Sequence, residues 1–126
     1  MPLDMKLKQE REHVFSARLK GSLDGDNYLD LEKELQKIIK DDTKAVILDM
    51  SEVDYVSSAG IRSVMWARKT LKAMNANFSM VNLKPQIKNI FDTMKLLPIL
   101  DIFNDMPEAD KYIDQIIEEE MGRGRA

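Results

Sequence analysis

Hydrophobic and polar residues alternate along two stretches near the start of the chain. Met5 and Leu7 alternate with lysines, and residues 15–20 repeat the same pattern. A period of two is typical of strands with one buried face. The polar stretch 10–13 lies between them and predicts a turn, so we expect an antiparallel hairpin. Residues 21–27, rich in glycine and aspartate, predict a loop after it.

Further along the chain, hydrophobic residues recur every three or four positions, which predicts amphipathic helices. The predicted helices cover about residues 28–40, 59–75, 85–97 and 105–121. Pro85 suits the first helical position, and Pro98 is expected to end the third helix. Short apolar runs between the helices predict strands at residues 45–50, 77–83 and 99–103.

The order of these elements, β-β-α-β-α-β-α-β-α, favours the α/β class. Strands that alternate with helices imply crossover connections and parallel pairing. We therefore expect a single mixed, mostly parallel β-sheet with helices packed on it, whose first strand is the antiparallel exception. The predicted domain covers residues 1–121, and residues 122–126 (Gly-Arg-Gly-Arg-Ala) are predicted to be a flexible C-terminal tail.

Composition and charge narrow the classes of protein that the chain resembles. Its 126 residues are 44% hydrophobic and 33% charged, which is ordinary for one globular domain. The net charge of -3 does not favour a nucleic-acid partner. The absence of cysteine excludes disulfides, thiolate metal sites and thiol catalysis. With no apolar signal core and no run of about 18 apolar residues, we expect a cytoplasmic protein without a membrane partner.

Most catalytic constellations are missing from the sequence. The single histidine, His13, falls in the predicted hairpin turn, and no glycine-rich phosphate loop is present. Asp49, at the end of the third strand, invites comparison with the phosphorylated aspartate of response-regulator receivers. Receivers begin β-α and carry a lysine after the last strand, whereas this chain begins β-β and has no lysine at 99–103. We therefore predict no enzyme activity, no metal and no cofactor.

Two serines, Ser57 and Ser58, stand where the third strand feeds the second helix. A helix N-terminus presents free backbone N–H groups and the positive end of the helix dipole. A serine there is most often a cap, which contributes about 1 kcal/mol. An exposed serine in the same place is also a suitable acceptor for a phosphate.

The surrounding sequence resembles the STAS domain and, within that family, the bacterial anti-anti-sigma factors. The resemblance rests on residues 21–24 (Gly-Ser-Leu-Asp), 48–53 (Leu-Asp-Met-Ser-Glu-Val), 58–61 (Ser-Ala-Gly-Ile) and 85–97. It places the family's phosphorylated serine at Ser58. The best-known members have an aspartate immediately before that serine, and this chain has Ser57, which is a minor alternative acceptor.

The resemblance implies a partner-switching cycle. The unphosphorylated protein would bind an anti-sigma factor that is also a serine protein kinase, and thereby free a sigma factor. Phosphorylation of Ser58 would end that binding, and a PP2C-type phosphatase would restore it. The alternative is a STAS module that is not phosphorylated and belongs to another assembly, such as a lipid-transport complex or a stress-signalling scaffold.

A docking surface is also predicted on the second helix. Arg62, Trp66 and Lys69 share the helix face opposite the apolar residues. Tryptophan and arginine are enriched among residues that dominate binding energy, so Trp66 is predicted to be an exposed anchor. The alternative is a tryptophan partly covered by a neighbouring helix or loop. The predicted partner-binding residues are Asp24, Ser57, Ser58, Gly60, Arg62, Trp66 and Lys69.

Overall fold

The computed structural model describes residues 3–124, apart from the side chains of Met121 and Arg123, and these residues form one five-stranded sheet with helices on both faces. The strands are β1 (Asp4–Arg11), β2 (Val14–Leu23), β3 (Ala45–Val56), β4 (Asn77–Val81) and β5 (Asp101–Phe103). The helices are α1 (Tyr28–Gln36), α2 (Ser58–Ala73), α3 (Pro85–Thr93) and α4 (Met106–Gly124). A short 3₁₀ helix, Leu97–Ile99, precedes β5.

The strands lie side by side in the order in which they occur along the chain, β1-β2-β3-β4-β5. β1 pairs with β2 antiparallel, with Leu7 opposite Ala17, and all other neighbouring pairs are parallel. The predicted fold class, a mixed and mostly parallel sheet that begins with a hairpin, is confirmed.

Alternate residues of β3 face two separate cores. Val46, Leu48 and Met50 belong to the larger core, which also contains the buried residues of α1, α2 and α3. Ala45 and Ile47 belong to a smaller core shared with α4. Because successive side chains of a strand point to opposite faces, α4 covers one face of the sheet and the other three helices cover the opposite face.

Two strands are longer than the sequence predicts. β2 continues to Leu23 through part of the predicted loop, and β3 continues to Val56 rather than ending at Met50. The extensions pair with each other in parallel, with Lys20 opposite Glu52 and Leu23 opposite Val56. The polar sequence of residues 51–55 therefore forms a strand because a partner strand supplies its hydrogen bonds.

Several helix ends also differ from the prediction. α1 ends at Gln36 rather than near residue 40. α3 ends at Thr93, before Pro98, because Lys95 adopts a φ of 58° and the Leu96 N–H returns to the Phe91 carbonyl at 2.9 Å. α4 continues to Gly124, past the start of the tail predicted at residue 122, and residues 125–126 lie outside the described residues.

Candidate functional site

The two serines at the N-terminus of α2 have different structural roles. Ser57 is the N-cap, and its hydroxyl oxygen accepts a hydrogen bond from the Gly60 N–H at 3.2 Å. The Ser57 N–H in turn donates to the Leu23 carbonyl at 2.9 Å. Ser58 is the first helical residue and is exposed. Because Ser57 already caps the helix, the Ser58 hydroxyl is not needed for that purpose.

The start of α2 packs closely against the end of β2. Gly60 is buried, and a Cβ added to it would lie 2.5 Å from the Leu23 carbonyl oxygen. Asp24, which follows Leu23 in the chain, is partly exposed, and its carboxylate accepts a hydrogen bond from the Asp26 N–H at 2.9 Å. The Tyr28 N–H donates to the Asp24 carbonyl at 2.9 Å, which joins this loop to α1. The predicted residue Asp24 thus lies directly after Leu23, the β2 residue that contacts the predicted residues Ser57 and Gly60.

The helix face that was predicted to be a docking surface is only partly exposed. Arg62 and Lys69 are exposed, whereas Trp66 is partly buried and packs against the larger core. Trp66 therefore agrees with the alternative of a partly covered tryptophan rather than with a fully exposed anchor. Lys69 lies eleven residues beyond Ser58, about 16 Å along the helix axis at 1.5 Å per residue.

Arg62 lies close to the N-terminal end of α1. Its guanidinium carbon is 6.0 Å from the centre of the Tyr28 ring. Ser63, the next residue on α2, is buried, and its hydroxyl oxygen lies 2.7 Å from the Tyr28 carbonyl oxygen. These contacts fix α1 against the first turns of α2 and add Tyr28 to the surface around Ser58.

Two exposed apolar side chains near this end of the molecule were not among the predicted site residues. Tyr55 is 52% exposed and lies three residues before Ser58, at the end of β3. Leu29 is 60% exposed and follows Tyr28 in the first turn of α1. Their polar neighbours along the chain conceal them in a periodicity analysis, and a single exposed apolar residue is not by itself a signal of binding, so the sequence offers no means of finding them.

Asp49 lies on the opposite face of the sheet, away from the serines. It is buried, and its carboxylate accepts hydrogen bonds from the Ser51 N–H at 3.0 Å, the Asn82 amide at 3.2 Å and the Arg18 guanidinium at 3.2 Å. Burial alone would raise the pKa of Asp49, but these hydrogen bonds outweigh it and hold the pKa below its ordinary value. The carboxylate is fully engaged in joining three strands, which gives it a structural role.

Two further features of residues 3–124 bear on other functions. No group of three or more histidine, aspartate or glutamate side chains there is arranged to hold a metal ion. No helix within the same residues has the length and apolar character needed to cross a membrane.

Comparison with known proteins gives consistent matches. The family profile of the STAS domain matches residues 5–109. BtrV from Bordetella bronchiseptica, which carries the name anti-sigma factor antagonist, is 30% identical over 106 residues, covering 83% of this chain and 91% of BtrV. The fold is similar to that of the anti-sigma factor antagonist SpoIIAA in its unphosphorylated form, with a TM-score of 0.74, 18% identity and coverage of 91% of this chain and 97% of SpoIIAA. The phosphorylated form of the Bacillus cell fate determinant SpoIIAA aligns with a TM-score of 0.68 and 18% identity, covering 90% of this chain and 99% of that one.

Proposed function

Because the chain belongs to the STAS domain family, and within it to the anti-sigma factor antagonists, we propose that it acts by phosphorylation-controlled partner switching. In this proposal the unphosphorylated protein binds an anti-sigma factor that is also a serine protein kinase. The kinase transfers the γ-phosphoryl group of ATP to the Ser58 hydroxyl oxygen, and ADP leaves while the hydroxyl proton passes to a base of the kinase. A PP2C-type phosphatase later hydrolyses the phosphate ester and restores the binding form.

The observation that carries the proposal is the exposed position of Ser58 beside a capped helix start. Its neighbour Ser57 is the N-cap, so the hydroxyl of Ser58 is free to react without loss of the cap. The first turn of α2 contains no acidic residue. A phosphate at this position therefore meets the positive end of the helix dipole rather than a like charge.

The release step follows from the charge of the phosphate. A phosphoserine carries about -1.5 to -2 charge at neutral pH. Inside a close interface that charge must lose water or face charges of the same sign, and either costs several kcal/mol. Each 1.4 kcal/mol corresponds to about tenfold in affinity, so the modification is sufficient to separate the partners. The protein itself is proposed to be a binding module, with the kinase and the phosphatase performing the catalysis.

The proposal is tested by incubating the protein with ATP and a serine kinase of the anti-sigma type from the same organism, followed by mass spectrometry of the intact chain. We expect one added phosphate in the wild type, none in Ser58→Ala, and one in Ser57→Ala, which is the matched control at the neighbouring hydroxyl. In a binding assay, Ser58→Asp is expected to weaken the complex with the kinase by roughly tenfold or more.

The result also separates the two candidate assemblies. Phosphate that persists in Ser58→Ala but disappears in Ser57→Ala would move the acceptor to Ser57 and contradict the assignment. No phosphorylation by any cognate kinase would instead favour a STAS module that serves in another assembly without modification.

A further inference from the structure

Arg62 is a charged side chain about one helical turn beyond Ser58 on α2. It is exposed, and no carboxylate within residues 3–124 lies at ion-pair distance from its guanidinium. The guanidinium carbon lies over the ring of Tyr28, 6.0 Å from the ring centre. The arginine is therefore available for a stronger interaction.

The spacing along α2 brings Arg62 to Ser58. The two residues are four positions apart in the same helix, where side chains lie on one face with Cβ atoms about 5–6 Å apart. Long helical side chains lean toward the N-terminus of their helix, so the side chain of Arg62 leans toward the turn that holds Ser58. A phosphate attached to the Ser58 oxygen extends outward into the reach of the guanidinium.

A phosphate is also the stronger of the two possible partners. An exposed cation over a phenol ring is held by a weak electrostatic attraction. An arginine beside a phosphate forms charge-assisted hydrogen bonds in a paired geometry that a ring does not offer. The arginine should thus leave Tyr28 when the phosphate is added.

We propose, on the basis of the proposed function, that a phosphate on Ser58 binds the side chain of Arg62 in an intramolecular ion pair. In the unphosphorylated protein Arg62 stays beside Tyr28 and remains exposed for contact with the partner. After phosphorylation the same guanidinium is bound within the chain. The modification therefore removes a cation from the docking surface in addition to placing negative charge there.

The intramolecular pair is tested without any kinase. Phosphoserine is installed at position 58 of the full chain during synthesis, and the second pKa of the phosphate is measured by phosphorus NMR. We expect the pKa in the wild type to be lower than in Arg62→Gln by roughly 0.5 or more, because an adjacent cation favours the doubly charged phosphate. Lys69→Gln, which removes one exposed charge from the same helix farther away, is expected to leave the value nearly unchanged.

Equal phosphate pKa values in the wild type and in Arg62→Gln would overturn the proposal. A second measurement tests its consequence for binding to the anti-sigma kinase. The Arg62→Gln change is expected to weaken binding of the unphosphorylated form and to reduce the affinity ratio between unphosphorylated and phosphorylated forms by roughly threefold or more. If no form binds a kinase, the proposed function fails, whereas the phosphate titration still decides whether the pair forms.

Discussion

At the residue scale, Gly60 determines how closely the second helix approaches the sheet. The Leu23 carbonyl oxygen accepts a hydrogen bond from the Ser57 N–H. The same oxygen is so close to Gly60 that it would clash with the Cβ of any side chain at position 60. A larger residue would push the end of β2 away from the cap. The glycine is thus required by packing rather than by backbone conformation, and it holds Ser58 at a fixed place relative to the loop of Asp24.

Gly60→Ala is expected to destabilise the protein although alanine favours helices. The added Cβ would lie 2.5 Å from a backbone oxygen, and overpacking of this kind costs about 1–3 kcal/mol against about 1 kcal/mol gained in helix propensity. We expect a net loss of up to about 2 kcal/mol in the free energy of unfolding, measured with chemical denaturant.

Gly122→Ala is the matched control for that substitution. Gly122 also lies within a helix, but a Cβ added there meets no atom within 4 Å. Its free energy of unfolding should stay the same or rise by up to about 1 kcal/mol. Two variants of equal stability would show that the contact at Gly60 relaxes without cost.

The sequence was sufficient to find the serine pair but not to assign exposure on α2. A strand, the polar segment after it and the start of a helix can all be recognised from local patterns, and Ser57 and Ser58 lie where the polar segment meets the helix. Whether Trp66 is exposed depends on which neighbours pack beside the helix, and these come from distant parts of the chain. Tyr28 joins the surface for the same reason, since only the pairing of α1 with α2 brings it to Arg62.

At the scale of elements, Asp49 joins three neighbouring strands. It lies on β3, it accepts a hydrogen bond from Arg18 of β2, and it accepts another from Asn82, just after β4. Asn82 has a φ of 59°, a conformation that asparagine tolerates better than most residues. The carboxylate therefore fixes the relative position of the strands at the point where β4 ends.

Asp49→Asn should lower stability in a pH-dependent way. The pKa of Asp49 in the folded protein lies below the ordinary 3.8, so its charged form stabilises the fold above that pH and the contribution disappears as pH falls through the folded pKa. We expect Asp49→Asn to cost about 1–3 kcal/mol near neutral pH, because an N–H₂ donor replaces one of the two acceptor oxygens and the negative charge beside the Arg18 guanidinium is lost. The difference from the wild type should shrink below about pH 4 in a series of urea unfolding curves.

Asp41→Asn is the control, since Asp41 is exposed and the substitution should change stability by no more than about 0.5 kcal/mol. A difference between Asp49→Asn and the wild type that stays constant from about pH 7 to about pH 3 would contradict the assigned role of the carboxylate.

The ends of elements were harder to predict than their existence. The alternating, apolar-run and helical patterns located the five strands and four α-helices of residues 3–124 but not the 3₁₀ helix at Leu97–Ile99. The extension of β3 to Val56 depends on β2, whose paired strand satisfies the backbone of a polar segment. The end of α3 depends on Lys95 in a left-handed conformation, and lysine carries no local signal for that geometry.

At the scale of the whole molecule, the two faces of the sheet are separate. The site around Ser58 lies with α1 and α2 over the larger core, whereas α4 packs on the smaller core through Ala109 and Ile113. Arg11 of β1 also holds α4, through contacts of 2.9 Å to Asp110 and 2.7 Å to Asp114. We therefore expect that a change in the packing of α4 alters the free energy of unfolding without altering affinity for a binding partner.

Ile113→Ala tests this separation. Ile113 is 1% exposed, so the truncation should cost about 2–5 kcal/mol in the free energy of unfolding, and Ile113→Val about 0.5–1.5 kcal/mol. Under conditions where the variants remain folded, the proposed phosphorylation of Ser58 and the proposed binding to an anti-sigma kinase should match the wild type within about twofold. If affinity for the kinase decreases together with the free energy of unfolding among these folded variants, the two faces of the sheet are coupled.

The side-by-side order of the strands has a consequence for how the protein is made. Each strand lies beside the one synthesised before it, so no strand has to enter between two that are already paired. Because chains emerge from the ribosome N-terminus first, the sheet can grow in the direction of translation. The proposed phosphorylation site needs only β2, β3 and the first two helices, which end at Ala73, so all of its elements leave the ribosome before β4, β5 and the last two helices.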